Sequence, residues 1–595
     1  MIKRAHLIGL VVLALLALGG EACAKCALGQ VAALHVTMEG TRPIVSAGVN
    51  GVKTNFLADS GAFFNMMSEA SAAELKLKLG PAPPNLRVIG LGGDTDVSLA
   101  TVSHFDLAGQ TVANVAFIVG GGEAGNDVAG VIGENVLTLA DTEYDLANGV
   151  IRLIRPTGCG PGALAYWAQS LPIGELDIAA STPLAPSPTG AAFINGARIR
   201  VVFDSGAGVS MLAIGAARRL GLDPRKMGDV AVAAGFGRGV GRRTVETWII
   251  PVDSFKIGGE EIRRTRLRVG DFSLFDADML LGADFFLSHR IYVAKSQRKL
   301  YFTYNGGPVF NLDAPATTQT ASGDTSPAPV NAAPVEVTPP VDAAGFSRRG
   351  SAEAGRHDYA RAITDLSRAC DLAPNEPTYF FQRAMAYLDN KQPTLALADL
   401  DHTLTLAADD SRAHVVRAEL RLAGHDTAAA MADLDAVARS AAKEADVRLR
   451  LAADYQRGGA FAPAVAQYDL WLKAHPDDSR QPFALAGRCR ARALGGQDLG
   501  KALADCDTAV RHNAKDVAAL DSRGLVHLRL GETDRALADF NAALKLDPKL
   551  AWSLYGRGVA KLRQGLTTDG RTDIAAATAL QPHLPQEAKT LGLAP

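Results

Sequence analysis

Residues 49–62 read VNGVKTNFLADSGA, and residues 194–207 read INGARIRVVFDSGA. In each copy an Asn-Gly turn signal precedes an apolar run. The aspartate follows the asparagine by nine residues in both, Asn50 to Asp59 and Asn195 to Asp204. The likeness continues downstream with a helix-like AAELKL at 72–77 or AARRLGL at 216–222, then a glycine-rich stretch at 88–97 or 233–243. Each copy closes on two apolar residues and a glycine, Val131-Ile132-Gly133 and Leu280-Leu281-Gly282, 74 and 78 residues beyond its aspartate. Tyr144 and Tyr292 recur at similar offsets, which places both in the last strand of their copy. One Asp-Ser-Gly is a weak signal; a whole module repeated in phase is a specific one.

Around these elements, residues from about 30 to 310 carry short runs rich in Val, Ile and Gly, broken by Asn-Gly, Gly-Gly and Pro, which is β-rich punctuation. Residues 311–343 change to Pro, Ala, Thr and Ser, with too little apolar bulk to fold, and read as an extended linker that permits the flanking parts to lie together or apart. Beyond it, apolar residues three and four apart predict amphipathic helices. Prolines at 374, 476, 548 and 582 are separated by 102, 72 and 34 residues: three periods of 34, two periods plus four, and one. The four extra residues are placed at Gly495-Gly496-Gln497-Asp498, between two helices. This period resembles tetratricopeptide repeats. In the unit at 534–548, Ala536 and Ala543 allow close helix approach while Leu537, Phe540 and Leu544 fill the seam. The resemblance implies a groove for a protein partner and no chemistry of its own. An unrelated helical bundle is the bland alternative.

The flanks and composition narrow the class. Lys3, Arg4 and His6 precede an apolar stretch at 7–18 and an Ala22-Cys23-Ala24 cleavage pattern, so residues 1–24 read as a signal peptide and the protein as periplasmic or secreted. Lipoprotein processing at Cys23 is the lesser alternative, because Gly20 stands where leucine is usual. No membrane span is expected after cleavage. A net charge of −2 gives no reason to expect nucleic acid or an anionic membrane as partner. Among six cysteines, Cys26 with Cys159 and Cys489 with Cys506 are candidate pairs that sequence leaves open, and Cys370 has no evident partner. No His/Cys cluster has zinc-ligand spacing, so neither a metal nor a cofactor is expected.

The duplicated module resembles the retropepsin and pepsin superfamily of aspartic peptidases, over about 260 of the 595 residues. The resemblance implies two lobes in one chain, 25–158 and 159–310, followed by the 311–343 linker and a repeat domain at 344–595. The fold class expected is therefore an all-β bilobal acid-protease unit joined to an all-α solenoid. Asp59 and Asp204 would be the catalytic pair. Two carboxylates about 3 Å apart cannot both ionise, so one acts as base and its protonated partner as acid. Ser60 and Ser205 would hydrogen-bond across the lobe junction, and Gly61 and Gly206 would allow the tight turn before Ala62 and Ala207. Phe56-Leu57 and Val201-Val202-Phe203 would be buried strands that hold the pair rigid. Gly90, Gly92 and Gly93 suggest a flap tip, and Gly235, Gly237 and Gly239 a second flap. Neither stretch carries the tyrosine usual in pepsin-type flaps, which favours the retropepsin-type likeness. The acidic residue many relatives have after the closing glycine is Glu134 in one lobe and Asp284, after Ala283, in the other.

The reading is an exported endopeptidase acting on a peptide or protein substrate, with the repeats recruiting a partner. The alternative is a non-catalytic scaffold whose pseudoprotease lobes bind extended peptides. Each lobe pairing with another chain is a further alternative, which fusion in one chain disfavours. The glycines at 235–241 are no nucleotide loop, since no Gly-Lys-Ser/Thr follows. Arg238, Arg242, Arg243, Arg263, Arg264, Arg266 and Arg268 read as a solvated basic face, with a preference for acidic substrates as the sharper alternative.

Overall fold

The computed structural model of the chain describes residues 26–595 except 84–85, 87, 91–92, 96, 121–127, 160–163, 169–170, 180–186, 238–243, 275–276, 311, 313–339 and 477; at 89–90 and 93–95 it describes backbone alone. The expected signal segment, most of the linker, Gly92, Gly239, Arg238, Arg242 and Arg243 lie outside the described residues.

Two β-rich lobes come first, built on one plan. In the first, strand Val52–Ala58 runs parallel to Gly130–Ile132, pairing Phe56 with Gly130 and Ala58 with Ile132. In the second, Ala197–Phe203 pairs in parallel with Met279–Leu281, Val201 with Met279 and Phe203 with Leu281. The apolar runs read from sequence are thus buried central strands: Phe56, Phe203 and Leu281 are fully enclosed. Phe56 meets Phe105 and Phe117 at ring-centroid distances of 5.7 Å, and Phe203 meets Phe285 at 6.0 Å. Rings in such contact add to the area term and stiffen the strand ends that lead into each aspartate.

The lobes are joined by backbone. Strand Asp141–Asp145 of the first lobe pairs antiparallel with His289–Ala294 of the second, Thr142 opposite Val293 and Tyr144 opposite Ile291. Val150–Thr157 and Ala27–Glu39 extend this sheet on one side, Lys299–Tyr304 and Gly174–Asp177 on the other. Tyr144 and Tyr292 therefore sit in penultimate strands, not last ones, since the junction sheet adds one further strand to each lobe. At the seam Glu143 is fully buried and accepts from Arg152 Nη1 of its own lobe (2.6 Å), Arg290 of the other lobe (2.7 Å) and the Tyr166 hydroxyl (2.6 Å). A buried carboxylate needs such partners, so this cluster locks the lobe arrangement.

Fifteen helices follow among the described residues, from Ala343–Gly355 to Leu584–Thr590: seven antiparallel pairs and one more. Every turn inside a pair spans three residues, including the one at 496–498. The four extra residues expected there lie elsewhere. Two lengthen the turn 475–480, and two lengthen helix Gln481–Gly495 to 15 residues, where the first helices Ser411–Ala423 and Val517–Arg529 have 13. Close packing within a pair fixes its own turn, so the surplus goes where pairs join.

An arginine in the first helix of a pair bridges to an aspartate 16 residues on, in the second helix. Arg383–Asp399, Arg417–Asp433, Arg523–Asp539 and Arg557–Asp573 are such two-toothed pairs, and Arg488–Asp505 is the same pair at a spacing of 17. Arg523 also reaches Asp507 of the preceding pair at 3.0 Å, and so rivets neighbouring repeats. Arg523→Ala leaves the buried Asp539 without its main partner. We expect a loss of about 2 kcal/mol in the repeat domain, below the ~3–5 kcal/mol of a fully buried pair because Arg523 keeps some exposure. Denaturant titration followed by circular dichroism measures this, and an unchanged midpoint contradicts it.

The first repeat helix, Ala343–Gly355, is seated on the lobes. Ser351 Oγ accepts from the Met38 N–H (3.2 Å), and Ala352 lies in the lobes' hydrophobic core. A Cβ on Gly355 would stand 2.4 Å from the Gly40 carbonyl oxygen, so the helix end lies directly on the hairpin turn between Ala27–Glu39 and Arg42–Val49. The arrangement the linker left open is thus a docked one. Cys26–Cys159 and Cys489–Cys506 are disulfides, and Cys370 is buried and unpaired. Among the described residues no helix is long and apolar enough to cross a membrane.

Candidate active site

Asp59 and Asp204 each begin the loop after a central strand, and the two loops meet at the lobe junction. The strand partner fixes each start: the Asp59 N–H donates to Ile132 O (3.0 Å), and the Asp204 N–H to Leu281 O (2.9 Å). The chain then crosses over the closing glycine. A Cβ on Gly133 would lie 2.7 Å from Ala62 O, and one on Gly282 2.7 Å from Ala207 O. No real Cβ makes such contacts, which is why each apolar pair ends in glycine.

Within each loop one carboxylate oxygen collects two backbone donors. Asp59 Oδ1 accepts from Gly61 N (2.8 Å) and Ala62 N (2.9 Å); Asp204 Oδ1 accepts from Gly206 N (3.0 Å) and Ala207 N (3.0 Å). Ser60 and Ser205 cross the junction reciprocally. The Ser60 N–H donates to Ser205 Oγ (3.0 Å) and the Ser205 N–H to Ser60 Oγ (2.9 Å). Ser60 Oγ donates to Phe203 O (3.0 Å) and Ser205 Oγ to Ala58 O (2.8 Å). Both serines are fully buried. Four hydrogen bonds between loops 145 residues apart hold the two turns as one rigid unit.

The tight turn expected of Gly61 and Gly206 has a different cause. Neither has positive φ; each faces the opposite lobe's carboxyl group. A Cβ on Gly61 would lie 2.4 Å from Asp204 Cγ, and one on Gly206 would lie 2.2 Å from Asp59 Cγ. The two aspartates also hydrogen-bond each other through their side chains. Both keep partial exposure. Desolvation raises both above the ordinary aspartate value, and the neighbouring charge raises Asp59 further.

The glycine-rich stretches are hairpin elements. Val88–Gly90 pairs with Gly93–Thr95, Gly90 opposite Gly93. In the second lobe Gly235 and Gly237 lie in strand Val232–Gly237, paired with Val245–Ile257. A register shift falls between Ala233 and Phe236, where Gly235 has a φ of 76°. At that bulge the backbone itself demands glycine.

The two acidic residues after the closing glycines are not equivalents. Asp284 accepts from Ser210 N (2.9 Å) and Ser210 Oγ (2.7 Å) and pins its own loop. Its counterpart in the first lobe is Asn135, whose Oδ1 accepts from Asn65 N (2.9 Å). Glu134 is instead deeply buried 3.8 Å from Lys295 of the other lobe; burial pushes its carboxyl up to about 8, against the pull of that ammonium. Sequence reading also missed Thr41: its Oγ1 lies 2.6 Å from where a Cβ on Gly208 would be, so the hairpin under the first repeat helix abuts the Asp204 loop. Among the described residues no group of His, Cys, Asp and Glu is arranged to hold a metal.

Comparisons with known proteins agree with this geometry. An aspartyl protease family model matches residues 45–136, a gag-polyprotein aspartyl protease model matches 191–288, and a tetratricopeptide repeat model matches 524–565. No curated protein matches the chain. Solved structures similar to it include a tetratricopeptide repeat protein from Parabacteroides merdae, at 16% identity over 42% of this chain and 98% of that one, with a TM-score of 0.34. Yeast Tom70 is similar at 19% identity over 42% of this chain and 52% of its own, with a TM-score of 0.26. The chain joins two retropepsin-like aspartyl protease lobes to a tetratricopeptide repeat array.

Proposed function

We propose that the protein is an exported aspartic endopeptidase. The observation that carries this reading is the reciprocal packing of each carboxyl group against the other lobe's glycine, at 2.4 and 2.2 Å from a Cβ position. That arrangement supports a shared-proton pair, because it places two like groups where both cannot ionise. The ionised member takes a proton from water as the oxygen attacks the scissile carbonyl carbon. The protonated member gives its proton to the carbonyl oxygen. The tetrahedral intermediate collapses when the proton held by the first carboxyl passes to the amide nitrogen. The C–N bond breaks as the second carboxylate takes back a proton from a hydroxyl of the diol, leaving a carboxyl and an amine terminus and restoring the singly protonated pair. The backbone donors at Gly61, Ala62, Gly206 and Ala207 orient the carboxyls throughout. The two disulfides support an oxidising compartment.

Incubation of the protein with a mixed peptide library from pH 3 to 8, read by mass spectrometry, tests the reading. Internal cleavage is the expected result. A folded protein that cleaves nothing would leave a peptide-binding scaffold.

A further inference from the structure

Helix Ala343–Gly355 belongs to two bodies at once. On one face it is the first helix of the array: Arg349 Nη2 donates to Asp365 Oδ1 (2.8 Å) in Tyr359–Leu372, and a Cβ on Gly350 would stand 2.8 Å from Leu366 Cγ. On the other face it is part of the lobes' interior. Ala352 is fully buried in their core, and a Cβ on Gly149 would lie 2.4 Å from Arg348 Cβ. The last helical residue, Gly355, touches one element from each lobe. A Cβ there would stand 2.4 Å from Gly40 O of the first lobe and 3.4 Å from Leu287 Cδ1 of the second. Both elements lead to the Asp204 loop. Thr41, next to Gly40, sets its Oγ1 against Gly208, 2.6 Å from a Cβ position. Leu287 lies in helix Ala283–Ser288, whose first N–H donates to Ala207 O (2.7 Å). Ala207 N in turn donates to Asp204 Oδ1 (3.0 Å). By either route the helix end backs the residues that hold the Asp204 carboxyl, and close-packed contacts pass a displacement on because there is no void to absorb it.

We propose that helix Ala343–Gly355 is a part of the peptidase unit, with Gly355 and Thr41 as positioning residues that hold the Asp204 loop in register with Asp59. Glycine at 355 is what permits the contact: any side chain there pushes the Gly40 hairpin and Leu287 away from the loop they back. Neither residue belongs to the loops that carry the carboxyls, so the expected signature is a fall in kcat with KM held. The inference rests on the peptidase reading for this kinetic signature, and on the packing alone for the exchange of the loop's amides.

The test uses the full chain as wild type, Gly355→Ala, Thr41→Ala and Thr41→Ser. Gly424→Ala is the control, a glycine at another helix end of the array whose Cβ would stand 3.5 Å from its nearest neighbour, Leu420 O. Gly355→Ala should lower kcat by about 10- to 100-fold at unchanged KM, since a shift of about 1 Å at a reacting group costs up to about 10²-fold. Thr41→Ala should lower kcat by about 10-fold, and Thr41→Ser, which keeps the Oγ, should restore it. Thr41→Ala carries the test if Gly355→Ala does not fold. On the same samples, hydrogen exchange of the amides at 205–210 should be at least about ten-fold faster in Gly355→Ala and Thr41→Ala than in wild type and Gly424→Ala. Exchange is read whether or not peptides are cut, so a wild type that cleaves nothing removes the peptidase reading and leaves the exchange to decide the propping of the loop. Wild-type kcat in both variants, a change confined to KM, or wild-type exchange at 205–210 would overturn the proposal.

Discussion

Asp59→Asn and Asp204→Asn should each reduce peptide cleavage by about 10³-fold or more, since either change removes one half of the acid–base pair. The losses should be equal in kind: the two loops present matching donors, and neither carboxyl can act as base and acid at the same moment. The pH profile carries a second signature. Burial and the shared site raise the pair's upper pKa. Cleavage should fall as pH rises past that value and the acid is lost, and fall again at low pH when a second proton removes the base. The folded carboxyls bind protons more tightly than unfolded ones. Their contribution to stability is therefore present at low pH and lost as pH rises through the raised pKa. Each Asn variant removes that loss and should melt no lower than wild type near neutral pH. An inactive variant of unchanged or higher Tm then reports chemistry, not unfolding.

Gly61→Ala and Gly206→Ala should be nearly as damaging without touching an ionisable group. The added Cβ would meet Asp204 Cγ at 2.4 Å in the first case and Asp59 Cγ at 2.2 Å in the second. Relief requires one carboxyl to move by about 1 Å, and displacements of that size cost about 10²-fold in rate. The strain should also lower stability by about 1–3 kcal/mol. Gly215→Ala is the control, because its Cβ would meet nothing nearer than Arg219 at 4.0 Å. Steady-state rates and melting curves on the three variants decide the matter. If Gly61→Ala and Gly206→Ala turned over like Gly215→Ala, the two carboxyls would not be packed against those glycines.

The two aspartate loops were legible because the module occurs twice: Asn50 and Asn195, Asp59 and Asp204, Gly133 and Gly282 keep phase, and the fold places them as pseudo-symmetric pairs. The solenoid was legible from its period. What sequence could not give are contacts between distant segments. The need for Gly61 and Gly206 comes from the opposite lobe's carboxyl, which a local turn rule does not see. The seating of Ala343–Gly355 on the Gly40 hairpin follows a stretch whose composition says nothing of where its ends lie. The Arg–Asp rivets, by contrast, are readable in the sequence, because an arginine recurring 16 residues before an aspartate is a local pattern. The surplus at 495–498 was misplaced because glycine there suggested a longer turn, whereas Gly496 at φ 65° simply ends the longer helix.

The most direct test of a dyad spanning both lobes of one chain is cleavage of a peptide library by four samples at matched concentration. They are wild type, each Asp→Asn variant alone, and the two variants mixed after joint refolding. Cleavage by wild type alone is the predicted result, with the mixture as silent as its parts. A mixture that recovers a substantial share of wild-type activity would show the pair forming between chains, and would contradict the account.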